Sequence, residues 1–364
     1  MINVIYILVF ILLIDFFIAF YRTNKKTNKE LEHRFSRYNM YNIEEGNYDF
    51  NYSKENIKCQ FNISKDGYLS DIKKADTIFM GGSTAFGVGS KGNNYNISGF
   101  LKNNFSHDII NLAIPGWNIE QSVITLLKHI EKIKPKRIII FDGANNLALG
   151  LPFDYHNLPI DNSPYSFYRE KEYKKNYDES KNEIIFFTFK KLLRLFFRNS
   201  IIAKNIFYIL KPKIKINPSA DISLSSINKT MDITIENYIK WIKLLKAVCL
   251  YSNIELIVAT QPYYLFGQDI NKVSKKDLAH LDDINNFFDD IMLKAYEKLD
   301  SELNKIQGIK YLPIFKLYKN LKLNLYTDAV HLKTDGYQII AEYIHKQIGA
   351  INVNKNNWFY IKFF

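Results

Sequence analysis

A chain of 364 residues, 47% of them hydrophobic, holds enough apolar material for one large packed domain or two modest ones. Its two cysteines exclude a disulfide framework, and its seven scattered histidines exclude a cluster of metal ligands, so neither a metal nor a cofactor is expected. The net charge of +12 raises nucleic-acid binding as a class, but no recognised motif accompanies it and no nucleic-acid partner is expected.

An almost unbroken apolar run extends from Ile2 to Tyr21, long enough for a helix to cross a bilayer core, with Asp15 as its one charged residue. No basic residue precedes it and no Ala-x-Ala exit follows, so residues 1–21 read as an uncleaved transmembrane anchor rather than a cleaved signal. Arg22, Lys25, Lys26 and Lys29 follow directly, and the positive-inside rule places them in the cytoplasm. Residues 22–72, rich in Asn, Lys, Tyr and Glu with few apolar runs, read as a polar spacer and entry segment.

From residue 73 to about 350 the pattern alternates strand and helix. Apolar strands are expected at Asp76–Met80, Asp108–Ala113, Arg137–Asp142, Ile254–Thr260 and Ile309–Leu312. Helical spacing fills the gaps, as in Ile119, Val123, Leu126, Leu127 and Ile130, or Ile284, Phe287, Phe288, Ile291, Ala295, Leu299 and Leu303. Cys249 falls in such a stretch and reads as packing, with a single bridge to Cys59 left open. Alternation of this kind predicts βαβ units and a parallel, doubly wound sheet. Residues 147–237 interrupt it and read as an insertion after the third strand.

Within the insertion, Arg169 to Lys215 holds thirteen basic and five acidic residues, a net +8. In 183–210, Lys190, Lys191, Arg194 and Arg198 share one helical face beside Phe189, Leu192, Leu193, Phe196 and Phe197. That pattern suits a helix on an anionic membrane surface, or equally an amphipathic helix covering the core. Residues 351–364 form an aromatic tail.

Four segments fall at the ends of predicted strands, where open α/β folds place their ligands. They are Gly81-Gly82-Ser83-Thr84, Asn111-Leu112-Ala113-Ile114-Pro115-Gly116, Asp142-Gly143-Ala144-Asn145-Asn146, and Asp328-Ala329-Val330-His331. A serine hydroxyl becomes a useful nucleophile when an imidazole takes its proton, and the imidazole needs a carboxylate to fix its tautomer. Asp328, three residues before His331 on a turn, can approach its ring, and Ser83 is the candidate alcohol. Tetrahedral intermediates also need donors aimed at the oxyanion, which the Ser83 and Gly116 N–H groups and the Asn145 amide can supply. Gly82, Thr84, Asn146 and Gln261 are candidate pocket residues, whereas Asp142 reads as a strand-end polar residue.

A serine, a glycine, Gly-x-Asn and Asp-x-x-His, in this order and at successive strand ends, resemble the SGNH (GDSL-like) hydrolase family over roughly residues 75–348, apart from the insertion. The resemblance implies a flavodoxin-like α/β/α sandwich. It implies Ser83 as nucleophile, His331 as base, Asp328 as its orienting acid, and Ser83, Gly116 and Asn145 as oxyanion hole. Gly82 stands where the family most often has Asp, and Asn146 where it often has Asp. With the anchor, the expectation is a membrane-bound serine esterase acting on an O-acylated small molecule, glycan or lipid. Alternatives are an O-acyltransferase using the same serine, or a non-catalytic phosphate- or sugar-binding protein at the membrane surface. The basic residues after the anchor and the usual outward placement of anchored hydrolases point to opposite sides of the membrane.

Overall fold

The computed structural model describes residues 33–36, 40–150, 224–266, 286–319 and 321–349. The expected anchor (2–21), the basic stretch 183–210 and the tail 351–364 lie outside these residues. Among the described residues no helix is long and apolar enough to cross a membrane.

The chain first forms two antiparallel pairs, β1 (His33–Ser36) with β2 (Met40–Ile43), and β3 (Gly46–Tyr52) with β4 (Ile57–Ile63). The second pair corrects the reading of 22–72 as a spacer. In β4, Cys59, Phe61 and Ile63 point into the core between exposed Lys58, Gln60 and Asn62, the period-2 alternation of a half-buried strand. Tyr48, Tyr68 and Ile72 are also buried. Polar composition concealed this alternation because only one face of the hairpin is apolar.

The strand–helix alternation then begins with β5 (Thr77–Gly81), α1 (Ser83–Phe86), α2 (Ile97–Phe105), β6 (Ile109–Asn111), α3 (Ile119–Ile133), β7 (Arg137–Asp142) and α4 (Ala144–Gly150). It resumes with α5 (Leu224–Tyr251), β8 (Glu255–Thr260), α6 (Asn286–Asn304), β9 (Lys310–Leu312) and α7 (Thr334–Gly349). Helix α5 runs through 224–237, which the sequence reading gave to the insertion, and buries Met231, Ile235 and Tyr238.

Strands β5 to β9 form one parallel sheet in the order β6-β5-β7-β8-β9. Numbered within the sheet this is 2-1-3-4-5, the flavodoxin-like order, whose switch point lies between β5 and β7. Central β7 explains why the sheet is parallel: Ile138, Ile139, Ile140 and Phe141 are wholly buried, as a strand covered by helices on both faces requires. Each such side chain contributes about 1.5–3 kcal/mol through burial. Helix α2 packs with α7, and α5 packs with α3, α4 and α6, which supplies the two helical layers.

Helix α3 starts where Asn118 and Gln121 cap each other's backbone N–H groups, and it buries Ile119, Val123, Leu126 and Ile130. Leu127, assigned to that stripe from the sequence, is 46% exposed. Cys59 and Cys249 are both free, and burial pushes their thiols to about 11 and about 12, so neither is a reactive thiolate.

Candidate active site

Strand β5 stops at Gly81-Gly82, and Ser83 opens the short helix α1 at the carboxyl edge of the sheet. Loop 326–332 approaches from the far end of the chain. Tyr326 pairs with Leu332, and the Thr327 N–H donates to the His331 carbonyl at 2.9 Å, so the loop closes on itself and presents the imidazole. The Tyr264 N–H donates to the Ala329 carbonyl at 2.9 Å and ties the loop to the end of β8.

His331 Nε2 lies 2.6 Å from Ser83 Oγ, and His331 Nδ1 lies 2.6 Å from Asp328 Oδ2. The other carboxylate oxygen, Oδ1, accepts from the backbone N–H groups of Val330 and His331 at 2.9 and 2.8 Å. Asp328 thus shapes its own turn while facing the imidazole. Burial raises its pKa, but the His331 charge and the donated hydrogen bonds more than offset that. The carboxyl is held well below the usual carboxylate range. An ionised carboxylate, an imidazole and an alcohol therefore stand in one hydrogen-bonded line, able to pass the serine proton to nitrogen and to stabilise the imidazolium that forms.

Gly116 sits in a turn in which the Trp117 N–H donates to the Ile114 carbonyl at 3.1 Å. Pro115 precedes it and its own φ is +81°, the type II arrangement that calls for glycine at this position. Gly116 is exposed at the rim of the site. The Asn145 amide donates to the Trp117 carbonyl at 2.6 Å, which leaves its second hydrogen available. It also packs against Gly82: a Cβ there would lie 2.2 Å from Asn145 Nδ2. The absence of a Cβ at Gly82 leaves room for the amide beside Ser83.

The remaining candidates fall behind the serine. Thr84 and Gln261 are buried, and Gln261 Nε2 donates to Thr84 Oγ1 at 3.0 Å, which ties α1 to the end of β8. Asn146 Oδ1 accepts from the Ile119 N–H at 3.2 Å, at the start of α3. Thr334 is the first residue of α7, and its hydroxyl accepts from the Lys91 N–H at 3.2 Å.

No family model matches the chain, and no curated protein matches it. Solved structures do. An acetyl xylan esterase is 12% identical, with 75% of this chain and 98% of that one covered and a TM-score of 0.36. A Desulfitobacterium hafniense protein described as lipolytic and of the G-D-S-L family is 13% identical, with 74% and 98% covered and a TM-score of 0.40. A GDSL-like lipase from Bacteroides thetaiotaomicron is 11% identical, with 75% and 87% covered and a TM-score of 0.33. Such scores carry no weight in assigning chemistry, which rests on the distances above.

Sequence reasoning missed Tyr52. Its hydroxyl donates to Asp328 Oδ2 at 2.7 Å, from a hairpin read as spacer. One tyrosine among twenty-five, in a polar stretch, carries no signal for this contact. The fully buried Asp142, read only as a strand-end residue, was also unforeseen. Burial pushes its carboxyl up to about 7 against a hydrogen bond from the Gly143 N–H. Its Oδ2 and the Tyr238 and Tyr296 hydroxyls are buried without a hydrogen-bond partner among the described residues.

Proposed function

We propose that this protein is a serine ester hydrolase of the SGNH type, with Ser83 as nucleophile, His331 as general base and Asp328 as the group that orients the imidazole. The observation that carries the reading is the Asp328–His331–Ser83 line at 2.6 and 2.6 Å, built from segments 248 residues apart. His331 accepts the Ser83 proton as Oγ attacks an acyl carbonyl, and later returns it to the leaving alcohol. The Ser83 and Gly116 N–H groups and the Asn145 amide stabilise the oxyanion, each donor being worth about 3–4 kcal/mol. Water then releases the acyl group.

The apolar run 2–21 supports placing this activity at a membrane, with an O-acylated glycan, lipid or small molecule as substrate. Transfer to a second alcohol instead of water uses the same serine and is the alternative outcome of the same acyl-enzyme.

The test is hydrolysis of p-nitrophenyl acetate by the full chain. The proposal predicts turnover that drops to background in Ser83→Ala and falls by at least about 10³-fold in His331→Ala. Turnover that survives in Ser83→Ala removes the serine from the chemistry.

A further inference from the structure

The Tyr52 hydroxyl meets two members of the triad, Asp328 and His331. It donates to Asp328 Oδ2 at 2.7 Å and lies 3.1 Å from His331 Nδ1. Its ring stands edge-on to the imidazole, with centroids 5.9 Å apart and planes at 86°. Tyr52 is the last residue of β3, and the turn beyond it is held on the same loop by a 2.7 Å ion pair between Glu55 and Lys333. Phe61 of β4 packs on Phe86 of α1 at 4.8 Å between ring centroids, which fixes the hairpin against the helix that carries Ser83.

A phenol has one proton, and here it is committed to the carboxylate. Only oxygen lone pairs then face Nδ1 from Tyr52, and an ionised carboxylate is acceptor-only as well. Nδ1, with two acceptors around it, must carry the proton of the neutral ring. Nε2 is therefore bare, and it is Nε2 that faces the Ser83 hydroxyl. The phenol also occupies a lone pair of Oδ2.

We infer that Tyr52 is a positioning residue that holds Asp328 in place and fixes the His331 tautomer from the N-terminal hairpin. The kinetic consequence rests on the reading of Ser83 as nucleophile; the effect on the imidazole does not. Among the described residues, the groups facing the ring are Asp328 and Tyr52 at Nδ1 and Ser83 at Nε2, while Lys333 is engaged by Glu55. The phenol hydrogen bond is one of the donors that hold the Asp328 carboxyl low, so its loss raises that carboxyl and loosens the hold on the imidazole.

The experiment compares the full-length parent with Tyr52→Phe, which keeps the ring and removes one oxygen. Fluorophosphonate labelling and kcat on p-nitrophenyl acetate are expected to fall about tenfold, the scale of one hydrogen bond to a charged group, with KM unchanged. Thermal unfolding stays near the parental temperature. The ring-nitrogen NMR shifts of His331, assigned with His331→Gln, report the Nδ1–H tautomer in the parent and a mixture of tautomers in Tyr52→Phe, without any turnover. Parental labelling rates together with parental His331 ring-nitrogen shifts in Tyr52→Phe overturn the inference. Labelling that persists in Ser83→Ala defeats the serine reading instead, and the ring-nitrogen shifts then decide the role of Tyr52 alone.

Discussion

The Tyr337 hydroxyl donates to the Val88 carbonyl at 2.6 Å, across 249 residues of sequence. Tyr337 lies wholly buried in the first turns of α7, six residues after His331, and Val88 lies five residues after Ser83. One buried hydrogen bond thus joins the loop behind the serine to the helix that follows the histidine. Tyr337→Phe keeps the ring but leaves the Val88 carbonyl without this donor. Its expected cost is about 1–3 kcal/mol, read as a lower urea midpoint with an unchanged slope. An unchanged midpoint shows that the two segments are held together by other contacts.

Asp142 sets a pH dependence of stability. Its carboxyl is raised to about 7 by burial. As pH rises from about 4 toward 7, the unfolded chain releases this proton and the folded chain keeps it. The unfolded state then binds fewer protons, and stability falls across that window before levelling off above it. The loss is on the order of 4 kcal/mol. Asp142→Asn removes the titration, so the difference in unfolding free energy between pH 4.5 and pH 8 shrinks by an amount of that order. An unchanged difference contradicts the assignment.

Gly82 and Asn145 occupy one space. A Cβ at 82 would stand 2.2 Å from the Asn145 amide nitrogen and 2.9 Å from the Trp117 carbonyl. Gly82→Ala is expected to displace the amide and to lower kcat on p-nitrophenyl acetate about 10²–10³-fold, the scale of a lost oxyanion donor. Asn145→Ala gives a loss of the same size, and the double variant is no worse than either single one, because both remove the same donor. Additive losses show that the two positions act separately.

The extent to which the chain could be read from its sequence follows from where its information is local. Strand β7 was legible because Ile138-Ile139-Ile140-Phe141 is buried on both faces, and such a strand appears as a continuous apolar run. The placement of Ser83, Gly116, Asn145 and His331 at strand ends or turns could be read because their neighbours announce it, as Pro115 does for Gly116. The hairpin was hidden because β4 alternates Cys59, Phe61 and Ile63 with Lys58, Gln60 and Asn62, and its average composition is polar. Tyr52 was out of reach for a stronger reason: its partner Asp328 is 276 residues away, and only the folded chain brings a hairpin tip onto that loop. Asp142 looked like an ordinary strand end because nothing local reveals that α5 and α6 bury it beside Tyr238 and Tyr296.

The central claim is that the Ser83 hydroxyl is activated by His331. Its most direct measurement is peptide mapping of the full chain after reaction with a fluorophosphonate at neutral pH. The account predicts a single phosphonyl adduct on Ser83, absent in Ser83→Ala and formed far more slowly in His331→Ala. An adduct on another residue, or labelling of Ser83 that proceeds at the parental rate without His331, contradicts it.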